Sequence, residues 1–195
     1  MPTTHSALRL RRLIEAAMEL ERRTMQLYCL FESQFPEPSE LRTFWFDMAQ
    51  HESRHFGALA FVSGLLESSS VRRLPLAPSL TAPRIRHLRG VLNACLKEAG
   101  RGVTIERAFE IALDIEGSEI EDVVLDLLEA LKGEAERERA AKLLIHDLGD
   151  LSYMIEKYTR DHALLERADE LLEHRVDRLR IAKSAKPRSL HAVRK

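Results

Sequence analysis

The sequence has little cysteine. Cys29 and Cys95 are the only two in 195 residues, and no Cys-x-x-Cys occurs. That argues against a disulfide framework, a zinc ribbon or a rubredoxin-type iron site. Glycine and proline are sparse too, at 8 and 7, while apolar residues make up 45% and charged residues 31%, a helix-rich composition. Neither sign of charge dominates. The formal net charge is -1, so the whole-protein field does not point to nucleic acid or acidic substrates. No run approaches the roughly 18 continuous apolar residues of a membrane helix. The N-terminal MPTTHSALRLRRLIEAA has no apolar stretch ahead of its arginines. It does not read as a secretory signal, and a cytoplasmic location is the expectation.

What is there is helical periodicity. Leu13, Ala17, Leu20, Met25, Tyr28 and Phe31 predict a helix over 7–34. Phe35-Pro36-Glu37-Pro38 breaks it, and Ser39 is a suitable N-cap for a second helix reaching about residue 67. Residues 68–84 hold three prolines and four serines and read as a long connection. A short helix near 85–99 ends at Gly100 and Gly102, and Thr104 caps a third long helix predicted over 105–132. Gly133 precedes a fourth over 134–160, and a fifth runs to about 183. The expected fold is all-α: a ferritin-like four-helix bundle of two helical hairpins joined by a long crossover, plus a C-terminal helix. The expected division is a bundle over 1–162 and a C-terminal helix with a basic tail over 163–195.

The stretch FWFDMAQHESRHFGALA, residues 44–60, has the apolar spacing of a buried helix but carries Glu52 and His55 on one face. A shift of 95 residues aligns the two hairpins. Glu21 falls on Glu116, His51-Glu52 on His146-Asp147, His55 on Asp150, and Tyr28 on Val123. The carboxylates therefore hold equivalent places in two equivalent hairpins. An isolated buried carboxylate is costly, and a dication offsets that cost. One Glu from each of two helices and Glu-x-x-His from each of two others is the ligand set of dinuclear iron and manganese bundles.

AAMELERRTMQLY followed by FDMAQHESRH resembles the rubrerythrin-type members of the ferritin-like superfamily. Members show a ligand Glu, an aromatic seven residues on, and Glu-x-x-His in the next helix, matched here by Glu21, Tyr28, Glu52 and His55. ALDIEGSEIEDVV is similar to the segment holding the second ligand Glu, at Glu116, and some members add one a turn later, matched by Glu119. The likeness covers about residues 8–160. It implies a site for two iron ions, with manganese as an alternative, and ferroxidase or peroxide-reducing activity. No rubredoxin domain is present, so the resemblance implies an external electron donor. Members of such folds often pair along long helices, so a homodimer is a further expectation.

The fourth helix departs from the family. It brings Asp147-Leu148-Gly149-Asp150 where Glu-x-x-His is expected. Leu144, Leu148, Leu151 and Ile155 also form an apolar stripe that makes a core face by itself, with Asp147 and Asp150 on its shoulder. Glu21, Glu52, Glu116, Asp147 and Asp150 carry five negative charges, six with Glu119, against four positive charges from two divalent ions. Any excess must be protonated, hydrogen-bonded or turned to solvent. The alternative reading is a metal-depleted bundle acting as a structural or interaction module. His51 and His146 read as surface or outer residues beside the ligands. Residues 175–195 hold eight Lys or Arg and one acid, Asp177. They are the one segment suited to an electrostatic contact with nucleic acid, anionic lipid or an acidic partner.

Overall fold

A computed structural model describes residues 4–67, 81–118, 125 and 134–184. They form six helices and, among the described residues, no strand. The helices are α1 (Thr4–Gln34), α2 (Ser39–Glu67), α3 (Ala82–Ala99), α4 (Ile105–Glu116), α5 (Glu134–Tyr158) and α6 (His162–Ser184). No helix among the described residues is long and apolar enough to cross a membrane.

The α1–α2 hairpin is the most extensively packed pair; α3 lies against α1, and α5 pairs with α6. Its turn is set by the two prolines. The Pro38 carbonyl accepts the N–H groups of Leu41 and Arg42 at 3.0 and 3.3 Å, so the cap falls on Pro38 rather than Ser39. Inside the hairpin, Phe31 and Phe44 flank Trp45 with ring centroids 4.9 and 4.8 Å away. Phe109 of α4 reaches the same indole at 5.3 Å, and Tyr28 stacks on it at 6.0 Å. Such a cluster gains from burial and from ring–ring geometry together.

At the α3–α4 junction, Gly102 adopts φ 86°, a left-handed conformation that glycine enters without strain. Thr104 then caps α4, its side chain accepting from the Arg107 N–H at 3.2 Å. Gln34, the last residue of α1, donates to the Ala99 carbonyl at 2.6 Å and accepts from the Val103 N–H at 3.3 Å, pinning this junction to the first hairpin.

The third long helix is shorter than its periodicity predicts. α4 ends at Glu116, where Ser118 N–H turns back to the Ile115 carbonyl at 2.9 Å. Gly117 occupies a tight place, since an added Cβ would lie 2.9 Å from the Leu113 carbonyl oxygen and 3.7 Å from Leu171 of α6. Arg175 of α6 reaches the released carbonyls of Glu116 and Ser118, each at 3.4 Å. A cation at a helix C-terminus complements the helix dipole. Residues 119–132, except Leu125, lie outside the described residues, and Glu119 with them.

The last helix shares the core. Asp161 caps α6 through Ala163 and Leu164 N–H at 3.0 and 3.1 Å. Leu164, Ala168 and Arg175 are buried, and Ser152 of α5 donates to Asp169 at 2.6 Å. Of the basic segment, residues 175–184 are the end of α6, and 185–195 lie outside the described residues.

Candidate metal centre

Glu21 sits on the apolar stripe of α1, between Ala17 and Leu20 on one side and Thr24 and Tyr28 on the other, all buried. Helical spacing alone forces it inward with them. Glu52 follows Met48 and Ala49 by one turn and precedes Leu59 by two, and these are buried as well. Glu21 is 0% and Glu52 2% exposed. His55, one turn beyond Glu52, is half-buried.

These three residues converge. Each offers a ligand atom within 4.8 Å of the other two. Nδ1 of His55 lies 3.5 Å from Glu52 Oε2 and 3.8 Å from Glu21 Oε2. Two buried carboxylates so close repel each other in a medium less polar than water, and a positive charge between them relieves both repulsion and desolvation. The donor set, two carboxylates and one imidazole, suits iron, manganese or zinc.

Glu116 is buried on α4, and the Tyr28 hydroxyl donates to its Oε1 at 2.6 Å. Tyr28 lies two turns from Glu21 on one face of α1, so the phenol links Glu116 to the helix that carries Glu21. A carboxylate at the C-terminus of a helix is disfavoured by the dipole. The Arg175 guanidinium beside that terminus offsets the penalty.

Asp147 is buried, but its neighbour is a different histidine: Oδ2 lies 3.0 Å from Nδ1 of His51. Asp150 is not brought to the cluster. Its side chain is 57% exposed and lies 3.2 Å from Nδ1 of His146, itself 73% exposed. The reason is register. Asp147 is in line with buried Leu144, Leu151 and Met154, whereas Asp150 is two turns from exposed Leu143, on the solvent side of α5.

Two functional neighbours were poorly legible in the sequence. His51 reads there as a surface or outer residue, yet it faces Asp147 across the α2–α5 interface. Arg175 reads as part of a basic tail, yet it is 7% exposed. The signal for Arg175 was its helical spacing from Ala168, Leu171 and Leu172. Cys95 is buried and burial pushes its thiol up; the exposed Cys29 is also raised, by partial burial and by Glu32. Neither has the lowered pKa of a reactive thiolate. Comparison of the chain with family models, with curated proteins and with solved structures finds no match.

Proposed function

We propose that this protein is a ferritin-like helical bundle that binds iron, or manganese, in a carboxylate-rich dinuclear centre and uses it to oxidise Fe(II) or reduce peroxide. The observation that carries the reading is the convergence of Glu21, Glu52 and His55 within 4.8 Å, two of them buried. Glu116, buried on α4 with its carboxylate held by the Tyr28 hydroxyl, lies outside that converging trio and would be the fourth protein ligand of the centre. The charge balance supports this set. With Asp147 beside His51 and Asp150 turned to solvent, three carboxylates face the four positive charges of two divalent ions. A pair of reduced ions would supply the two electrons that peroxide reduction consumes, and a separate donor protein would return them. The surrounding aromatic and aliphatic core limits access of bulk water.

Anaerobic loading with Fe(II), desalting and a metal count per chain tests the reading, beside Glu52→Ala and Glu21→Gln. A pair of ions in the parent, lost in both variants, and peroxide consumption by the loaded parent alone are expected. No retained ion in the parent overturns it. The exposure of Asp150 favours a second reading, a metal-depleted bundle serving as an interaction module. Under that reading, chelator leaves both metal content and unfolding midpoint unchanged.

A further inference from the structure

A groove and a basic segment remain outside the proposed centre. The groove lies between α2 and α5, has a volume of about 350 Å³ and is open to solvent. Its apolar lining comes from Phe44 and Met48 of α2 and Met154 of α5, all buried, and from Tyr153, which is 51% exposed. Its charged lining is acidic. Asp47 on α2 and Asp150 on α5 stand on opposite walls, and both are exposed. Glu40 and Asp147 line the groove too, but Glu40 already holds Lys157 and Tyr158, and Asp147 lies against His51.

We infer that this groove receives the basic segment 185–195 of the same chain, which straps α5 to α2. Three observations carry it. The first is charge. The segment, AKPRSLHAVRK, holds Lys186, Arg188, Arg194 and Lys195 and no acid. It brings several separate cations, so its partners need not converge on one point, and carboxylates standing apart on two walls suit it. Such complementarity fixes partner and register more than it adds affinity. The second is pattern. Leu190 and Val193 lie between Arg188 and Arg194, as the apolar lining lies between Asp47 and Asp150. The segment has no interleaved aromatics, which single-stranded nucleic acid would favour. The third is reach. α6 runs antiparallel to α5, with Ser152 bonded to Asp169, and with Ala141 and Leu179 lining one cavity. In that register Ser184 stands level with about Arg137, roughly 20 Å along α5 from Asp150. Eleven extended residues span about 36 Å, enough to cover that length and pass around a helix about 10–12 Å wide. The strap also has a place to act, because α5 packs far less extensively on α2 than on α6. Groove and segment meet in this way whether or not the buried centre holds metal.

The test is zero-length carbodiimide coupling of the full chain, which joins a lysine amine to a carboxylate it touches, read by peptide mass spectrometry. Lys186 or Lys195 should be joined to Asp47 or Asp150 in preference to exposed carboxylates outside the groove, such as Glu15 and Glu166. The preference should fade in 1 M salt, which screens exposed charges. Arg188→Glu combined with Arg194→Glu leaves both lysines and both aspartates in place. It should lower the yield of groove links by roughly 2- to 30-fold, the range that two exposed ion pairs span, while the unfolding midpoint shows that the helices still fold. Coupling an equal mixture of 15N-labelled and unlabelled protein separates the sources of the segment. Groove links of single isotope composition support the same-chain strap. Links of mixed composition overturn it in favour of the segment of a second copy. Links scattered evenly over exposed carboxylates, or groove links unchanged in the double variant, also overturn it and leave the segment to an outside anionic partner.

Discussion

Glu21 and Glu116 hold corresponding places in the 95-residue repeat, as do Glu52 and Asp147, and all four carboxylates are buried. One turn further on, the halves part. His55 is 22% exposed and lies against Glu52, whereas Asp150 is 57% exposed and lies against His146. The helices differ in the same sense. α1 runs unbroken past Glu21 and packs along α2, while α4 stops at Glu116 and α5 packs more extensively on α6 than on α4. Arg22 occupies in α1 the repeat position that Gly117 occupies at the end of α4. A repeat in sequence therefore conserved the burial of each acid but not the pairing of helices that makes acids converge. Convergence needs two helices held at fixed distance and rotation, and among the described residues the first hairpin's aromatic core provides that.

The comparison can be broken most strongly in that core. Trp45→Ala should cost about 3–5 kcal/mol, and Leu148→Ala in α5 about 2–5 kcal/mol. Chemical denaturation of both should rank Trp45→Ala as the more damaging, because the indole contacts four other rings. Equal costs would mean the second half is as tightly specified as the first.

Gly117→Ala probes the point where the halves diverge. The added methyl meets the Leu113 carbonyl oxygen, a backbone atom that cannot swing aside. A loss of roughly 1 kcal/mol in a thermal or urea melt is expected. A gain would indicate that α4 continues as a regular helix once glycine is removed.

A smaller effect lies where the halves meet. Glu40 at the start of α2 accepts from Lys157 and, at 2.9 Å, from the Tyr158 hydroxyl at the end of α5. The Lys157 hydrogen bond first, then that of Tyr158, hold the carboxyl below its ordinary value of 4.5. A folded-state pKa lowered in this way adds stability above pH 4.5 that is lost as the pH falls through the lower folded value. The small advantage of the parent over Glu40→Gln at neutral pH should vanish in acid, read from melting midpoints across pH. A difference that grows in acid would contradict the assignment.

The smallest effect expected is none. Asp147→Glu combined with Asp150→His restores to α5 the pattern of the first hairpin. Position 150 faces solvent, so the iron count after anaerobic loading should stay at the parent value. A rise would show that the second half rotates into register once its ligands are supplied.

Much of this was legible in the chain. Apolar spacing placed α1, α2 and α5 and predicted burial of Leu144, Leu148, Leu151 and Ile155, all of them in the core. The shift of 95 residues singled out four acids, and all four are buried. Asp150 was not legible in this way, because positions 147 and 150 share a face within about 60° and small differences in helix rotation decide which of them looks inward. Nor was the end of α4. Its periodicity continues past Gly117, and the contacts that accompany the break come from Leu171 and Arg175, more than fifty residues away.

By itself, then, the sequence determined that the chain is helical, where its helices start, and that particular acids on apolar stripes go inside. These are properties of period and local backbone chemistry, carried by neighbours three and four residues apart. The tertiary structure decided which acids meet, which histidine each one faces, and that Arg175 of the last helix is buried against the end of α4. Those outcomes depend on the distance and rotation between helices, which no local pattern encodes.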